Sequence, residues 1–389
     1  MTDSNRYLLN ASSVQPLAAG QGATKRQAAP QTPKKARRRI RFRILGLLLL
    51  PELIAVAIFC GAQFTSSFRS VEAEPASAVV TMSGEQIALV AFDDHTRPGI
   101  GEPMFQMRLA AYRLSDGAQL WDQRINEELS GAVVVLAASD DLIYVAETGG
   151  LVILDADGDI IARGDGIDGI GADAVLAVNA YAYDAGSDAI VLLSTRGDIL
   201  QIPVGSTSAQ PATPAQIRAG QGLSAEARFD DTVLRTGGVE QAIGPDGTTF
   251  SVRSVDAAVG RDALEIGAES GTARAELVDA ELLPVLPADQ ETPAAAGAGH
   301  GFVLVQHRES VNSDALMVSS IDVATGSIVD SAAVGGDLDG ALPAPDGTTV
   351  YFAGEEGDWY PNRLMVLADD GSIDEIRIGQ LPWWMALFG

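Results

Sequence analysis

From Val79 to about residue 380 the apolar positions come in short runs: IALVAF (87–92), AVVVLAA (132–138), LIYVA (142–146), LVILD (151–155), AIVLLS (189–194), GFVLVQ (301–306) and TVYFAG (349–354). Each run is rich in β-branched residues and is closed by turn formers, which is the pattern of buried strands. No part of this region repeats apolar positions at helical spacing. An all-β fold is therefore expected. The turns recur as well. Asp116-Gly117, Asp157-Gly158 and Arg196-Gly197 are spaced 41 and then 39 residues apart, and Thr325-Gly326 and Asp370-Gly371 are 45 apart. The segment Pro-Asp-Gly-Thr-Thr at 245–249 returns at 345–349. A period near 40–45 with about four strands per repeat predicts a β-propeller of about seven, within a range of six to eight, four-stranded blades over residues 79–380. A stretch rich in Ser, Ala and Pro at 205–240 blurs the repeat.

One apolar run has a different character. Residues 44–62, ILGLLLLPELIAVAIFCGA, contain a single charge, Glu52. As a helix they reach roughly 28 Å, the thickness of a bilayer's hydrocarbon core, so a transmembrane helix is expected here. Lys34, Lys35, Arg37, Arg38, Arg39, Arg41 and Arg43 precede it, while Arg69, Glu72 and Glu74 follow. That asymmetry predicts a cytoplasmic N-terminus and an external C-terminal region. Cleavage is the competing outcome. Bulky Phe59 precedes Cys60, against a lipoprotein site, and Ala76-Ser77-Ala78 lies well past the apolar run. Pro51-Glu52 in mid-span implies a kink and either a protonated carboxyl or a partner helix facing Glu52. On this basis 1–43 is a disordered basic tail, 63–78 a linker, and 381–389 (LPWWMALFG) an aromatic tail too short to span a membrane.

Charge sharpens the division. The overall net charge is −26, but residues 1–60 carry ten Lys/Arg against two Asp/Glu, and residues 61–389 carry sixteen Arg, no Lys and fifty Asp/Glu. The basic part suits an anionic inner leaflet, and the acidic part argues against nucleic acid as a partner. Cys60 is the sole cysteine, so no intrachain disulfide forms and the external domain is held by its core.

The turn segments carry a resemblance. Ala111-Tyr-Arg-Leu-Ser-Asp-Gly117-Ala-Gln-Leu-Trp121 resembles the repeat of bacterial pyrroloquinoline-quinone-type propellers, Ala-x-Asp-x-x-Thr-Gly-x-x-x-Trp, at Ala111, Gly117 and Trp121. Arg113 and Asp116 depart from it. Ser320-Ile-Asp322-Val-Ala-Thr325-Gly326 matches at Asp, Thr and Gly, with Asp330 where the Trp would stand, and 154–158 and 367–371 are shortened versions. The resemblance implies hairpins and blade docking, with Trp121 packed between blades. A quinone-dependent dehydrogenase of this kind would need a calcium site, a catalytic Asp and usually a vicinal cysteine pair. The external region has no cysteine, so the resemblance points to the non-catalytic scaffolding members, and no cofactor is expected.

Other chemistry is thinly represented. Asp155, Asp157 and Asp159 alternate as in a calcium loop but lack a bidentate Glu at the loop's end, so a hairpin turn is expected. Arg163-Gly-Asp165 and Arg196-Gly-Asp198 spell an integrin tripeptide in a chain full of Gly-Asp turns. No nucleophile elbow is visible. Three connections between the second and third strands of a repeat are long: 93–105, 307–314 and 355–362. They fall in the first and the last two blades, which are neighbours in a closed propeller. Their residues Asp93, Asp94, His95, His307, Arg308, Glu309, Glu355, Glu356, Asp358, Trp359 and Tyr360 form the expected partner-binding surface, with Trp359 and Tyr360 as aromatic anchors. The expected function is protein binding or scaffolding in the cell envelope, with an unidentified envelope protein as partner and the cytoplasmic membrane held through 44–62. A propeller enzyme or a small-ligand sensor is the alternative.

Overall fold

A computed structural model describes residues 71–73, 77–94, 106–126, 132–224, 238–244, 247–267, 272–285, 294–295, 301–336, 338, 340–344, 348–354 and 361–379. The expected membrane span at 44–62, the basic tail and the 381–389 tail lie outside these residues. Among the described residues no helix is long and apolar enough to cross a membrane.

The seven apolar runs named between residues 79 and 380 all lie in strands, and most strands pair antiparallel with their sequence neighbours. The first sheet holds β1 (Val71–Ala73), β2 (Ala78–Met82), β3 (Glu85–Asp94), β4 (Gln106–Arg113) and β5 (Gln119–Asn126). The second holds β6 (Val133–Ala138), β7 (Leu142–Glu147), β8 (Gly150–Asp155) and β9 (Ile160–Arg163). The third holds β10 (Tyr181–Asp184), β11 (Ala189–Leu193), β12 (Ile199–Pro203) and β13 (Gln210–Pro211).

A nine-stranded sheet follows, built from β14 (Gln241–Ile243), β15 (Thr249–Asp256), β16 (Arg261–Ile266), β17 (Thr272–Leu282), β18 (Pro284–Val285), β19 (Ala294–Ala295), β20 (Phe302–Arg308), β21 (Leu316–Asp322) and β22 (Ile328–Val334). The last sheet holds β23 (Gly340–Pro343), β24 (Thr349–Ala353), β25 (Arg363–Leu367) and β26 (Ile373–Arg377).

The nine-stranded sheet is two units sharing one strand. β17 pairs with β16 over Thr272–Val278 and with β20 over Val278–Leu282, with a register break between Val278 and Glu281. Asp279 sits at that break with φ of 47°, a left-handed conformation that Asp tolerates better than most residues. Counting β17 twice, the described strands form six groups of about four.

Apolar clusters join the groups face to face. One lies between groups one and two (Leu89, Leu109, Ile143, Val152), one between two and three (Tyr144, Ile153, Ile190, Leu192), and one between four and five (Phe250, Leu264, Val303, Val305). Another lies between five and six (Leu304, Val318, Tyr351, Met365). A fifth joins the last group to the first, where Val350, Phe352, Leu364 and Ile376 pack on Val90, Phe92, Ala110 and Tyr112. Each cluster draws alternate residues from its strands, as period-two side-chain direction requires.

The structure departs from the sequence expectations in three places. Val71–Ala73, inside the expected linker, is a strand. β2 covers only Glu85–Leu89 of the ten-residue β3, and β1 pairs with the remaining end, Phe92–Asp94. Residues 164–180 are a packed segment of three short 3-10 turns whose Ile167, Ile170 and Val175 fill the cluster between groups two and three. Within the blurred stretch, Pro214–Ala219 forms a short helix, α1. Thr213 caps it, accepting from the Gln216 N–H while the Gln216 side chain accepts from the Thr213 N–H.

Candidate functional site

The two ends of the strand groups do different work. At one end lie the turns joining third to fourth strands, and these belong to the packing. The Asp322 carboxylate accepts from the N–H groups of Ala324 (2.8 Å) and Thr325 (2.7 Å), and Gly326 closes the turn at φ of 74°. Asp155 likewise accepts from the N–H groups of Asp157 (3.0 Å) and Asp159 (2.8 Å), so the alternating carboxylates of 155–159 build a turn. Hydrogen bonds from turn N–H groups hold the carboxyls of Asp116 and Asp322 below the usual Asp value, led by Ala118 and Thr325 respectively. Asp370 is lowered in the same sense, first by the Ser372 hydroxyl and then by its N–H.

Three of these turns dock on the preceding group. Trp121 covers Gly158 of group two, where an added Cβ would lie 2.5 Å from the indole, and its Nε1–H donates to the Ala156 carbonyl at 2.9 Å. Gly371 of group six lies under Phe302 of group five, and Gly117 of group one lies against Ile376 of group six. The Trp position of the motif is thus a docking position.

At the other end emerge the connections from second to third strands. The bases of the three long ones form a continuous arc. The connection 309–315 adjoins Val334 and Gly335 around a recess of about 430 Å³. The Gly335 N–H donates to the Gly354 carbonyl at 2.9 Å, at the start of the second long connection. At its far side the Pro361 carbonyl accepts from the Ala73 N–H at 2.9 Å, and Ala73 pairs with Phe92, next to Asp93 and Asp94 where the third begins.

The expected partner-binding residues divide accordingly. Asp93 and Asp94 end β3, opposite Glu72 and Val71, with Asp94 buried and Asp93 half-buried. His95, Glu355, Glu356, Asp358, Trp359 and Tyr360 lie outside the described residues. His307 is not displayed. It is 8% exposed, its Nδ1 donates to the Arg308 carbonyl at 2.8 Å, and its Nε2 lies 2.8 Å from the Ser319 hydroxyl. It shares a strand face with the buried Val303 and Val305, which alternation along β20 dictates. Arg308 is a brace. Its guanidinium donates to Asp279 (2.9 Å), Asp314 (2.8 Å) and the Ser313 carbonyl (2.8 Å). Glu309 is exposed and accepts from the Ser313 hydroxyl at 3.0 Å.

The tripeptide arginines are engaged within the fold. Arg163 donates to the Ile125 carbonyl at 2.7 Å, and Arg196 pairs with Asp173 at 2.9 Å. Sequence reasoning missed Glu147. Its buried carboxylate accepts from Asn126 of group one at 2.5 Å and from the Gly149 N–H at 2.8 Å, with Arg163 at 3.7 Å. An acidic residue closing the apolar run LIYVA was its only signal. Among the described residues no group of three or more His, Cys, Asp or Glu side chains is placed to hold a metal ion.

No protein-family model and no curated protein matches this chain. Solved structures do. AtxE2 isopeptidase in its apo form aligns with a TM-score of 0.37 and 13% identity over 82% of this chain and 54% of its own. A putative oxidoreductase (glucose dehydrogenase) from Thermus thermophilus gives 0.26 and 13% over 79% and 99%. BamB from Moraxella catarrhalis gives 0.21 and 11% over 77% and 84%. The chain spans about half the length of the isopeptidase.

Proposed function

We propose that residues 71–379 form a six-bladed β-propeller of the quinoprotein-like kind, closed between groups six and one. In this reading a helix at 44–62 holds it outside the cytoplasmic membrane, and it binds another envelope protein through the long connections of groups five, six and one. The observation that carries the reading is the hydrogen-bonded arc Gly335–Gly354 and Pro361–Ala73. It draws the bases of three long connections, separated by up to about 260 residues of sequence, into one sector. The apolar cluster between groups six and one supports closure. Three turns at the opposite end, those of Gly117, Gly158 and Gly371, are engaged by a neighbouring group, and long connections on a rigid scaffold are where binding concentrates.

The test is a photo-crosslinking side chain placed at Trp359, and separately at Asp157, in the full chain in its native membrane. The expected result is one discrete protein adduct from position 359 and none from 157. No adduct from 359, or the same adducts from both, overturns the proposal.

A further inference from the structure

The β15–β16 hairpin of group four is also a second-to-third-strand connection, with a short turn. Residues 253–259 are exposed without a break, so the hairpin stands clear of the body. Its end carries Val255, 48% exposed, and Val259, 44% exposed, on either side of Ala257 and Ala258. These two valines leave nearly half of their surface in water.

A chain of contacts ties this tip to group five. The Gly260 carbonyl accepts from the Asp279 N–H at 2.8 Å, Asp279 pairs with Arg308 at 2.9 Å, and Arg308 pairs with Asp314 at 2.8 Å. Asp279 is the left-handed residue at which β17 passes from one group to the next, so the kink and the brace are one feature. The braced connection 309–315 presents a third aliphatic, Val311, 40% exposed. Holding the connection beforehand lowers the ordering cost of binding.

The surrounding charge is negative. The arginines of this region are paired within the protein, Arg253 with Glu265, Arg261 with Glu276, and Arg308 with Asp279 and Asp314. Asp256 and Glu309 add exposed carboxylates beside the valines.

We infer that Val255, Val259 and Val311 form an apolar docking surface, continuous with the long-connection sector, for a partner segment in which aliphatic residues alternate with Lys or Arg. This rests on the protein-binding reading above and names the chemistry of the partner.

The probe is a labelled Leu-Lys repeat peptide, titrated into the detergent-solubilised full chain with a Leu-Glu repeat as control. The variant V255S/V259S/V311S leaves every charge in place and alters only exposed side chains. The expected result is binding of the Leu-Lys peptide alone, weakened about tenfold by the triple substitution, as loss of three aliphatic contacts implies. Unchanged binding by the variant, or no binding to the native chain, overturns the inference. A photo-crosslinker at Ala257 separates the two readings. An adduct from 359 without one from 257 sinks this inference alone, and silence at both sinks both. The same adduct from both positions supports both.

Discussion

The junction between groups one and two and the junction between groups five and six meet the same packing requirement with different chemistry. In the first, Trp121 does two jobs. Its ring covers Gly158, and its N–H donates to the Ala156 carbonyl. In the second the jobs are divided. Phe302 covers Gly371, the Ser320 hydroxyl donates to the Gly371 carbonyl, and Asp330, at the Trp position, accepts from the Ile373 N–H at 2.9 Å. The polarity at that position is reversed: an indole donates to the neighbouring turn, and a carboxylate accepts from the neighbouring strand. What recurs along the chain is a place where one group must hold the next, and several residue sets satisfy it. This explains how the repeat stays regular while its residues depart from any single motif.

The largest effect is expected from filling the space under the ring. Gly158 combines φ of 86° with an indole face that leaves no room for a Cβ. Gly158→Val adds left-handed strain and overpacking together, for a loss of about 3 kcal/mol. Chemical denaturation of the full chain would show this as a lowered midpoint with an unchanged slope. A midpoint within error of the native protein would mean that the ring moves aside freely and that the junction is loose.

Deleting the docking groups sharpens the comparison. Trp121 is only half-buried, so Trp121→Ala is expected to cost about 2 kcal/mol, below the range for a core aromatic. Asp330→Ala leaves the Ile373 and Ser331 N–H groups without their carboxylate acceptor and is expected to cost about 1–2 kcal/mol. The two bonds use separate oxygens of Asp330, so Asp330→Asn, with one acceptor oxygen, should recover about half of that loss. If Asn matched Ala, the carboxylate would be acting through charge and not through its two hydrogen bonds.

How far the sequence could be read follows from these same residues. The strands were legible because each is a short apolar run closed by turn residues, and the docking of Trp121 was implied by the resemblance of 111–121 to the propeller repeat. The double use of β17 was not, because it depends on one left-handed Asp279 inside an otherwise regular strand. The start of α1 was in principle legible, since Thr213-Pro-Ala-Gln216 is a capping sequence with proline at the first helical position. The helix itself is too short to show a period. The closeness of His307 to a long connection suggests a surface position. Counting alternate residues back to Val305 and Val303 would have turned it inward. Connection length does not reveal the β15–β16 hairpin, because its exposure comes from the length of the strands.

The smallest expected effect concerns pH. Asp116, Asp322 and Asp370 have carboxyls held below their ordinary value of 3.8, chiefly by hydrogen bonds from their own turns. A carboxyl lowered in the folded state contributes stability above its unfolded value and loses it as the pH falls through that value toward the folded one. None of the three is buried, so the contribution of each is small and screened by salt. The native chain should therefore show a modest fall in Tm as the pH is lowered from about 5 to about 3. Replacing all three with Asn should flatten that part of the profile while leaving the docking residues untouched. A profile equally steep in the triple variant would place the acid sensitivity elsewhere.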